Sequence, residues 1–533
     1  MTQLLAQTAV RDESWTLIDQ LLAEERRLSA VERFSQRHAG VAEPLQARYY
    51  RDLIPIRKPG TAEQYGFEVD LDVCSGCKAC VTACHSLNGL DEGESWRDVG
   101  LLHGGGREAP VQRTVTTACH HCGDPACAHG CPVLAYDKDP ETGIVRHLDD
   151  QCIGCRYCEL KCPYEVPKYN KRLGIVRKCD LCHGRLALAE APACVQACPN
   201  QAITIRIVST GDLPRSGPLV PGTFDSVYTR PATVFRSRLD LGAIGLEGAD
   251  ALSMEPAPGH GPLQWMLVFT QAGAGAAAMY VISLAASIGA TGLSSACLAL
   301  PLAAFGLSAT GMIASVGHLG RPLGAWRAFL GWRRSWLSRE IIAFSLLLPT
   351  LAAAAGASLL DLPWLWRLSA AIAAAMLGMA AVSTSIMVYV DTRRVFWRPW
   401  PCGVRFFGAW LLLGSALTTV FAPGSLAGSI SILACAGKMA AEGKSLFPAR
   451  GTGWSPEKKS ALLQLGPLRA VLRFRWLAGV VGMLAIACGT WALPSAIVCG
   501  AGFVCLMAGE LAERALFFRA VDTPKMPGGV AAQ

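Results

Sequence analysis

The clearest pattern in the chain is a series of long apolar segments in its second half. Eight such segments are found, at 263–288, 293–317, 340–360, 364–390, 404–422, 425–441, 474–492 and 494–516. A helix needs about 20 mostly apolar residues to cross the roughly 30 Å hydrocarbon layer of a bilayer. The pattern therefore predicts an all-α bundle of eight transmembrane helices over 263–517, followed by a tail at 518–533. The sixth segment is the shortest, and Lys438 lies near its end.

The first half has a different pattern, in which short β-prone runs alternate with clusters of cysteine. The runs lie at 65–70, 114–117, 144–148 and 202–207. A repeated order of strand, cysteine loop and helix is typical of fused ferredoxin-like units. We therefore predict an α+β double ferredoxin-like domain over 61–208. Apolar residues at near-helical spacing predict a helical extension at 1–60, and a segment rich in proline and glycine predicts a linker at 209–262.

Charge is divided along the same boundary. Residues 1–260 carry 28 Lys and Arg against 33 Asp and Glu, whereas residues 261–533 carry 21 against 8. The mean hydropathy of +0.31 excludes an ordinary soluble protein and a disordered one. Because the basic excess lies beside apolar segments, it indicates membrane orientation rather than nucleic-acid binding. The first twenty residues carry early charges and no apolar core, so we expect no secretory signal there.

Cysteine is concentrated in the first half, where sixteen of the 22 cysteines form four groups. Three groups combine a compact run with a fourth cysteine after three intervening residues, and the last group has a wider central gap. The groups are Cys74, Cys77, Cys80, Cys84; Cys119, Cys122, Cys127, Cys131; Cys152, Cys155, Cys158, Cys162; and Cys179, Cys182, Cys194, Cys198. Such spacing is typical of paired iron–sulfur clusters, in which the fourth cysteine binds the neighbouring cluster. Sixteen ligands correspond to four 4Fe-4S clusters.

Two other interpretations of the cysteines compete with this one. Structural zinc needs four ligands, usually as two separated C-x-x-C pairs, and would leave the last two cysteines of each compact run without a role. A disulfide framework would require export to an oxidising compartment. A basic run between the third and fourth groups, which ends at Arg177 and Lys178, is either a solvated face or a surface that docks a partner or tunes cluster potentials.

The cysteine segments resemble the four-cluster electron-transfer subunit of molybdopterin oxidoreductases, the group that contains the dimethyl sulfoxide reductase iron–sulfur subunit. The matching text is CSGCKACVTAC, CHHCGDPACAHGCP, CIGCRYCELKCPYEVPKYN and CDLCHGRLALAEAPACVQACP. The resemblance implies a separate molybdopterin-containing catalytic subunit as partner. It also implies four ligand sets, which are Cys74, Cys77, Cys80 and Cys198; Cys179, Cys182, Cys194 and Cys84; Cys119, Cys122, Cys127 and Cys162; and Cys152, Cys155, Cys158 and Cys131.

The text SVGHLGRPLGAWRAFLGWRRSWLSREI, between the second and third spans, resembles the membrane anchor of the same reductases. The resemblance implies two subunits fused in one polypeptide and a quinol site on the side of the cluster domain. His318 and Glu340 can accept the two protons that quinol releases on oxidation. Each also has an ordinary structural interpretation, as an interfacial histidine and a helix-starting glutamate. Arg321 could hold a quinone oxygen or a lipid phosphate.

Loop charges predict the orientation in the membrane. With eight spans, 20 of the 21 basic residues after residue 260 fall on the side of the cluster domain. Basic loops stay cytoplasmic, so we predict a multi-pass protein of the cell inner membrane with its cluster domain in the cytoplasm. The alternative is a cluster domain exported by a partner that carries a twin-arginine signal.

These features together predict an electron-transfer and anchor subunit that links the quinone pool to a separate catalytic subunit. A redox-driven ion pump and a cluster-based membrane sensor are the alternatives. We expect no ionisable residue near the middle of any span, which disfavours a pump. Glu510 and Arg514 have the spacing of an ion pair within one helix. The terminal substrate and the direction of electron flow stay open.

Overall fold

The computed structural model describes residues 50–523, apart from 107, 222, 224, 249–252, 260, 288–294, 424–425 and 453, together with 16–18 and 21–23. Most of the helical extension predicted for 1–60, and the last ten residues of the tail, lie outside the described residues. Two parts follow one another along the sequence. A mixed α/β part contains the four cysteine groups, and a helical part begins at Gly261.

Ten strands lie in the first part. They are β1 Glu63–Asp70, β2 Asp98–Gly106, β3 Ala109–Thr117, β4 Tyr136–Lys138, β5 Val145–His147, β6 Lys168–Asn170, β7 Ile175–Arg177, β8 Ile203–Ser209, β9 Val234–Arg236 and β10 Glu247–Gly248. β1 lies between β8, to which it is antiparallel, and β9, to which it is parallel. β10, β2 and β3 form a second sheet, and β4–β5 and β6–β7 are two-stranded. Each of the four predicted runs overlaps a strand.

Antiparallel pairing brings together cysteine groups that are distant in sequence. Val69 of β1 pairs with Ile203 of β8, so the loop after β1, which carries Cys74, lies beside the segment before β8, which carries Cys198. Pairing of β4 with β5 likewise brings Cys131 near Cys152. Adjacent ends of paired strands must be neighbours in space, so the sheets place the cysteine groups in pairs.

Short helices follow the cysteine loops. They are α1 Ala79–Leu87, α2 Ala126–Gly130, α3 Tyr157–Lys161, α4 His183–Ala187, α5 Ala193–Gln196 and α6 Leu241–Ile244. The first and third cysteine groups enter their helices through the same left-handed backbone turn, at Lys78 with φ 61° and at Arg156 with φ 60°. Gly76 and Gly154, two residues earlier, also have positive φ, which glycine adopts without steric strain. The two loops are therefore structural repeats.

Nine helices form most of the described second part. They are α7 Gly261–Ala286, α8 Ser295–Val316, α9 Trp336–Leu359, α10 Trp364–Val390, α11 Pro399–Phe421, α12 Ala427–Lys444, α13 Pro456–Leu465, α14 Arg469–Ala487 and α15 Ala496–Arg519. Within the described ranges, seven of them are long and apolar enough to cross a membrane, where α14 is counted with the π-helical turn that extends it to Ala492. The sixth predicted span is the one that is not among these seven helices. It forms the helix α12, but Lys438, Glu442 and Lys444 make α12 more polar than the seven membrane-spanning candidates.

Contacts between helix ends define which ends lie together. The backbone N–H of Ala257, just before α7, donates to the carbonyl of Arg519 at the end of α15, at 3.0 Å. At the opposite end of the bundle, the Ser295 hydroxyl at the start of α8 donates to the carbonyl of Phe421 at the end of α11, at 2.7 Å. The start of α7 and the end of α15 therefore lie at the same end of the bundle.

The third cysteine group joins the two parts of the molecule. The Tyr157 hydroxyl in α3 donates to the carbonyl of Val388 in α10 at 2.8 Å, and Lys161 forms an ion pair with Asp391 at 2.6 Å. The backbone N–H of Arg321 donates to the carbonyl of Ile153 at 3.1 Å. Both a backbone and a side-chain contact therefore fix the loop around Cys155 against the helical part.

We expect that Gly320→Ala disturbs this junction, because a Cβ at residue 320 would lie 2.1 Å from the backbone oxygen of Gly174. Overpacking of this kind typically costs about 1–3 kcal/mol. Thermal unfolding of the solubilised protein should show a lower midpoint than for Gly306→Ala, whose Cβ has no atom within 4 Å. Equal midpoints for the two variants would show that the junction can relax without loss of stability.

Candidate functional site

Two of the four cysteine sets line cavities. Cys74, Cys77, Cys80 and Cys198 line one cavity, and we name this set site A. Cys119, Cys122, Cys127 and Cys162 line another cavity, and we name this set site C. Each site takes three cysteines from one group and one from another, as the paired spacing predicts.

The other two sets are brought together in the same way. Cys84 lies within electrostatic range of Cys194 and Cys182, and Cys179 lies within range of Cys84; these four residues form site B. Cys131 lies within range of Cys152 and Cys155, and Cys158 lies within range of Cys131; these four form site D.

The arrangement of the thiols around the cavities fits an iron–sulfur cluster. A 4Fe-4S cluster is held by four cysteine thiolates, and sites A and C each place four thiols around one cavity.

The protein surroundings of the sulfur atoms also fit a bound cluster. Burial and the nearby Cys194 and Cys182 raise the pKa of the Cys84 thiol to about 12, so deprotonated sulfur requires a strong positive charge, such as iron, beside it. Backbone N–H groups point at several sulfurs. The N–H of Ala202 lies 3.3 Å from Cys198 Sγ, and the N–H of Ala135 lies 3.2 Å from Cys131 Sγ. Such hydrogen bonds stabilise thiolate ligands and tune cluster potentials.

Arg97 lies between sites A and B, and no feature of the sequence pointed to it. Its side chain is fully buried over the ring of Phe67, and its Nη1 donates to the Thr116 hydroxyl at 3.1 Å. The Arg97 side chain also lies within hydrogen-bond reach of the Cys194 thiol. Burial opposes the charge, but the surrounding thiolates, of which Cys194 acts most strongly, raise the pKa of Arg97. The charge of the guanidinium is therefore compensated by the cysteine sites.

Two further buried residues connect the remaining sites. Lys178, from the basic run, donates to the carbonyls of Val145 and Cys179, and thiolates of Cys119 and Cys127 raise its pKa against the effect of burial. It therefore lies between sites B and C and is not part of a solvated face. Burial and the nearby Cys158 raise the pKa of Tyr136, which lies between sites C and D. The four sites thus follow one another in the order A, B, C, D.

Site D lies at the helical part of the molecule, close to the residues predicted to bind quinol. Cys155 packs against the core of the helical bundle. His318, just beyond α8, lies in electrostatic range of Arg156. Burial lowers the pKa of His318, and a backbone hydrogen bond with Ser315 partly offsets this effect. A neutral imidazole can accept a proton at its unprotonated ring nitrogen.

Glu340 is buried near the start of α9, where the Ser385 hydroxyl of α10 donates to its carboxylate. The carboxylate also lies in electrostatic range of Tyr157, two residues after Cys155. The structure thus brings a buried acid close to site D. The role of Ser385 was not predicted, because its proximity depends on the packing of two helices.

Arg321 has a contact that the sequence did not predict. Its Nη1 donates to the carbonyl of Asp149 at 2.7 Å, so part of the guanidinium joins the cysteine domain to the helices. Trp326 and Trp332 are exposed, as expected for a belt at the lipid headgroups.

Two predictions about charge in the helices are wrong. Glu510 does not pair with Arg514 but with Lys438 at 2.6 Å and Arg475 at 3.0 Å, whereas Arg514 pairs with Glu513 at 2.5 Å. Ionisable residues also lie well inside the helices, because Glu510 is about 13 Å from the end of α15 at 1.5 Å per residue. Lys438 and Glu510 are almost fully buried.

Family comparisons agree with this division of the molecule. The family described as a 4Fe-4S dicluster domain matches residues 112–207, and the family described as DMSO reductase anchor subunit (DmsC) matches residues 259–435.

Curated relatives match the cysteine-rich part. The B subunit of the anaerobic dimethyl sulfoxide reductase of Escherichia coli K12 is 36% identical over 186 residues, which cover 32% of this protein and 88% of the relative. YnfG of the same strain, a probable anaerobic dimethyl sulfoxide reductase subunit, is 39% identical over 148 residues, which cover 26% and 72%. The hydrogenase-2 operon protein HybA of Escherichia coli O157:H7 is 37% identical over 172 residues, which cover 27% and 52%.

The cysteine-rich part therefore binds iron–sulfur clusters and transfers electrons, and the helical part is a multi-pass membrane anchor. The protein belongs to the family of dimethyl sulfoxide reductase iron–sulfur subunits and carries an anchor domain of the same reductases in one polypeptide.

Proposed function

We propose that the protein oxidises quinol at its membrane surface and passes the electrons through four 4Fe-4S clusters to a separate molybdopterin-containing catalytic subunit. The observation that carries this proposal is the order of sites A to D, in which site D contacts the helical bundle and site A lies farthest along the series. The sixteen cysteines of sites A to D would hold the clusters. When bound, 4Fe-4S clusters accept and release single electrons.

His318 and Glu340 are the groups that we assign to proton removal from quinol. Oxidation of a quinol releases two electrons and two protons, so the site needs two acceptors close to site D. The neutral imidazole of His318 can take one proton, and the buried carboxylate of Glu340 can take the other. Arg321 stays a prediction as a ligand of a quinone oxygen, through the guanidinium nitrogens that do not contact Asp149.

We infer that the anchor crosses the membrane eight times, with α12 as the sixth crossing. The start of α7 and the end of α15 share one end of the bundle, which requires an even number of crossings. The charges of Lys438 and Glu442 are neutralised in part by Glu510 and Arg475, so they do not exclude α12 from the membrane. The proposed domains accordingly keep the boundaries 61–208 and 263–517.

A cytoplasmic cluster domain in the cell inner membrane stays a proposal based on loop charge. Four of the basic residues assigned to the cluster side, Arg405, Lys438, Arg475 and Arg514, are buried inside the helical bundle and carry no information about loops. Sixteen of the remaining seventeen still lie on that side. The positive-inside rule therefore supports the same orientation.

Iron content tests the cluster assignment. The protein purified or reconstituted without oxygen should contain about sixteen irons per polypeptide, as four 4Fe-4S clusters require. Metal analysis together with acid-labile sulfide provides the measurement. Zinc in place of iron, or eight irons or fewer after reconstitution, would contradict four clusters.

His318→Ala tests the quinol site. Loss of a general base typically slows a reaction about 10²–10⁴-fold, so quinol should no longer reduce the clusters on the timescale of wild type. EPR after rapid freezing would follow cluster reduction, and dithionite should still reduce the clusters in the variant. The exposed His103, in β2, offers the matched control, since His103→Ala should behave as wild type. Normal quinol-driven reduction in His318→Ala would remove His318 from the site.

Arg97→Gln tests the order of the sites. A unit charge about 7 Å away contributes on the order of 2 kcal/mol at an effective dielectric of 20, or about 100 mV for a one-electron couple. Removal of the charge should lower the midpoint potentials of the clusters in sites A and B by about this amount, as measured by EPR redox titration. Arg206→Gln, at an exposed position, should leave all four potentials unchanged. A shift in the potential of only the site nearest the membrane would contradict the proposed series.

A further inference from the structure

Seven charged side chains form a network inside the helical bundle, away from the proposed quinol site. Its members come from four helices, and all are buried. They are Arg405 of α11, Lys438 and Glu442 of α12, Arg475 of α14, and Glu510, Glu513 and Arg514 of α15. We call this set the intramembrane ion network.

One half of the network is centred on Glu510. Lys438 Nζ donates to Glu510 Oε2 at 2.6 Å, and Arg475 Nη2 lies 3.0 Å from Glu510 Oε1. Arg475 also holds Glu442 through two atoms, at 2.9 and 3.2 Å. Glu510 thus shares its carboxylate between a lysine and an arginine.

The other half is centred on Glu513. Its carboxylate pairs with Arg514 at 2.5 Å and with Arg405 at 3.3 Å, and Arg514 Nη2 also donates to Gln271 Oε1 of α7 at 2.8 Å. The carbonyl of Arg405 joins the two halves, because it accepts from Lys438 Nζ at 2.9 Å and from Arg514 Nη2 at 3.1 Å.

The charges of this network do not balance when every member is ionised. Four cations face three carboxylates, which leaves one net positive charge in a region with little access to water. An uncompensated charge at such a site carries a large free-energy penalty. Arginine keeps its proton, whereas buried lysine readily gives its proton up. The network therefore becomes neutral when the Lys438–Glu510 pair loses one proton, and this pair is where a proton can enter or leave.

Tyr389 connects the network to the proposed quinol site. It lies at the end of α10, four residues after Ser385, which donates to Glu340. Its side chain lies in electrostatic range of both Glu340 and Arg514. The ring packs on Phe406 and Phe517, the two rings over which the Arg514 guanidinium lies, at 4.3 and 5.7 Å from their centroids. A buried phenol thus stands between the proton-accepting carboxylate and the network.

We propose that Lys438 and Glu510 form a proton-exchange pair that takes up a proton released at the quinol site and later passes it on. The inference rests on quinol oxidation as the proposed function. Both quinol O–H bonds break: one proton goes to His318 and the other to Glu340, and the two electrons leave toward site D. Glu340 then gives up its proton as one N–H bond forms on Lys438. The network changes from neutral to a charge of one with each proton stored, and returns to neutral when the proton is released.

Substitutions at Lys438 distinguish proton exchange from a structural ion pair. Lys438→Arg keeps the charge but cannot release a proton, and Lys438→Met leaves three arginines facing three carboxylates. We expect both variants, in the full complex with bound clusters, to oxidise a soluble quinol at least tenfold more slowly than wild type. Their iron content and cluster reduction by dithionite should be unchanged. The matched control is Lys444→Met, at the exposed end of α12.

Proton release gives a readout that a structural role would not change. A pH indicator in weak buffer, mixed rapidly with quinol, should show wild-type proton release lagging behind cluster reduction. The lag should disappear in Lys438→Arg and Lys438→Met. If Lys438→Met does not fold, Lys438→Arg alone decides the outcome.

Three outcomes would overturn the proposal. They are wild-type quinol oxidation in a folded Lys438 variant, an unchanged lag in proton release, and a rate that depends on chloride, since a bound anion would then offset the surplus charge. If quinol reduces the clusters only when His318 is intact and the Lys438 variants behave as wild type, the proposed function stands and only the proton-exchange pair is lost.

Discussion

The geometry of the cysteine sites depends on the hydrogen-bonded register between strands that are far apart in the sequence. Val69 pairs with Ile203, and this pairing brings Cys198 toward the three cysteines that follow β1. A slip of one residue would move one strand by about 3.3 Å and turn its side chains to the opposite face. The ligand set of site A is therefore a property of the sheet as much as of the cysteine spacing, and the same reasoning applies to Cys131 and Cys152 across β4 and β5.

Buried positive charges are compensated in two different ways in this protein. Arg97 has no carboxylate partner in the described structure and is compensated by thiolates on both sides, which ties its stability to the presence of the cysteine sites. In the helical bundle, by contrast, Arg475 and Arg405 are compensated by carboxylates from neighbouring helices. The first arrangement acts on the reduction potentials of the clusters beside Arg97. The second holds four helices together, because a buried charge must stay close to the groups that compensate it.

Much of the architecture was predictable because its signals are local. Cysteine spacing predicted an iron–sulfur domain, and continuous apolar segments predicted seven of the helices, since both signals depend on neighbouring residues. Arg97 and Ser385 could not be found, because their roles arise from contacts across sheets and helices. The pairing of Glu510 with Arg514 was wrong for the same reason. The spacing of Glu510 and Arg514 within one helix favoured an ion pair between them. In the structure Lys438 and Arg475, from other helices, pair with Glu510 instead, and such contacts between helices cannot be predicted from spacing in the sequence.

The junction around Cys155 has a consequence for assembly. Tyr157, Lys161 and Arg321 supply some of the polar contacts between the cysteine domain and the anchor, and Cys155 and Leu160 also pack on the core of the helical bundle. Two separate polypeptides would hold such a junction closed only through their binding affinity. Within one polypeptide the two partners stay together at any protein concentration, because their association is intramolecular. Selection on the junction is therefore free to favour electron transfer over affinity.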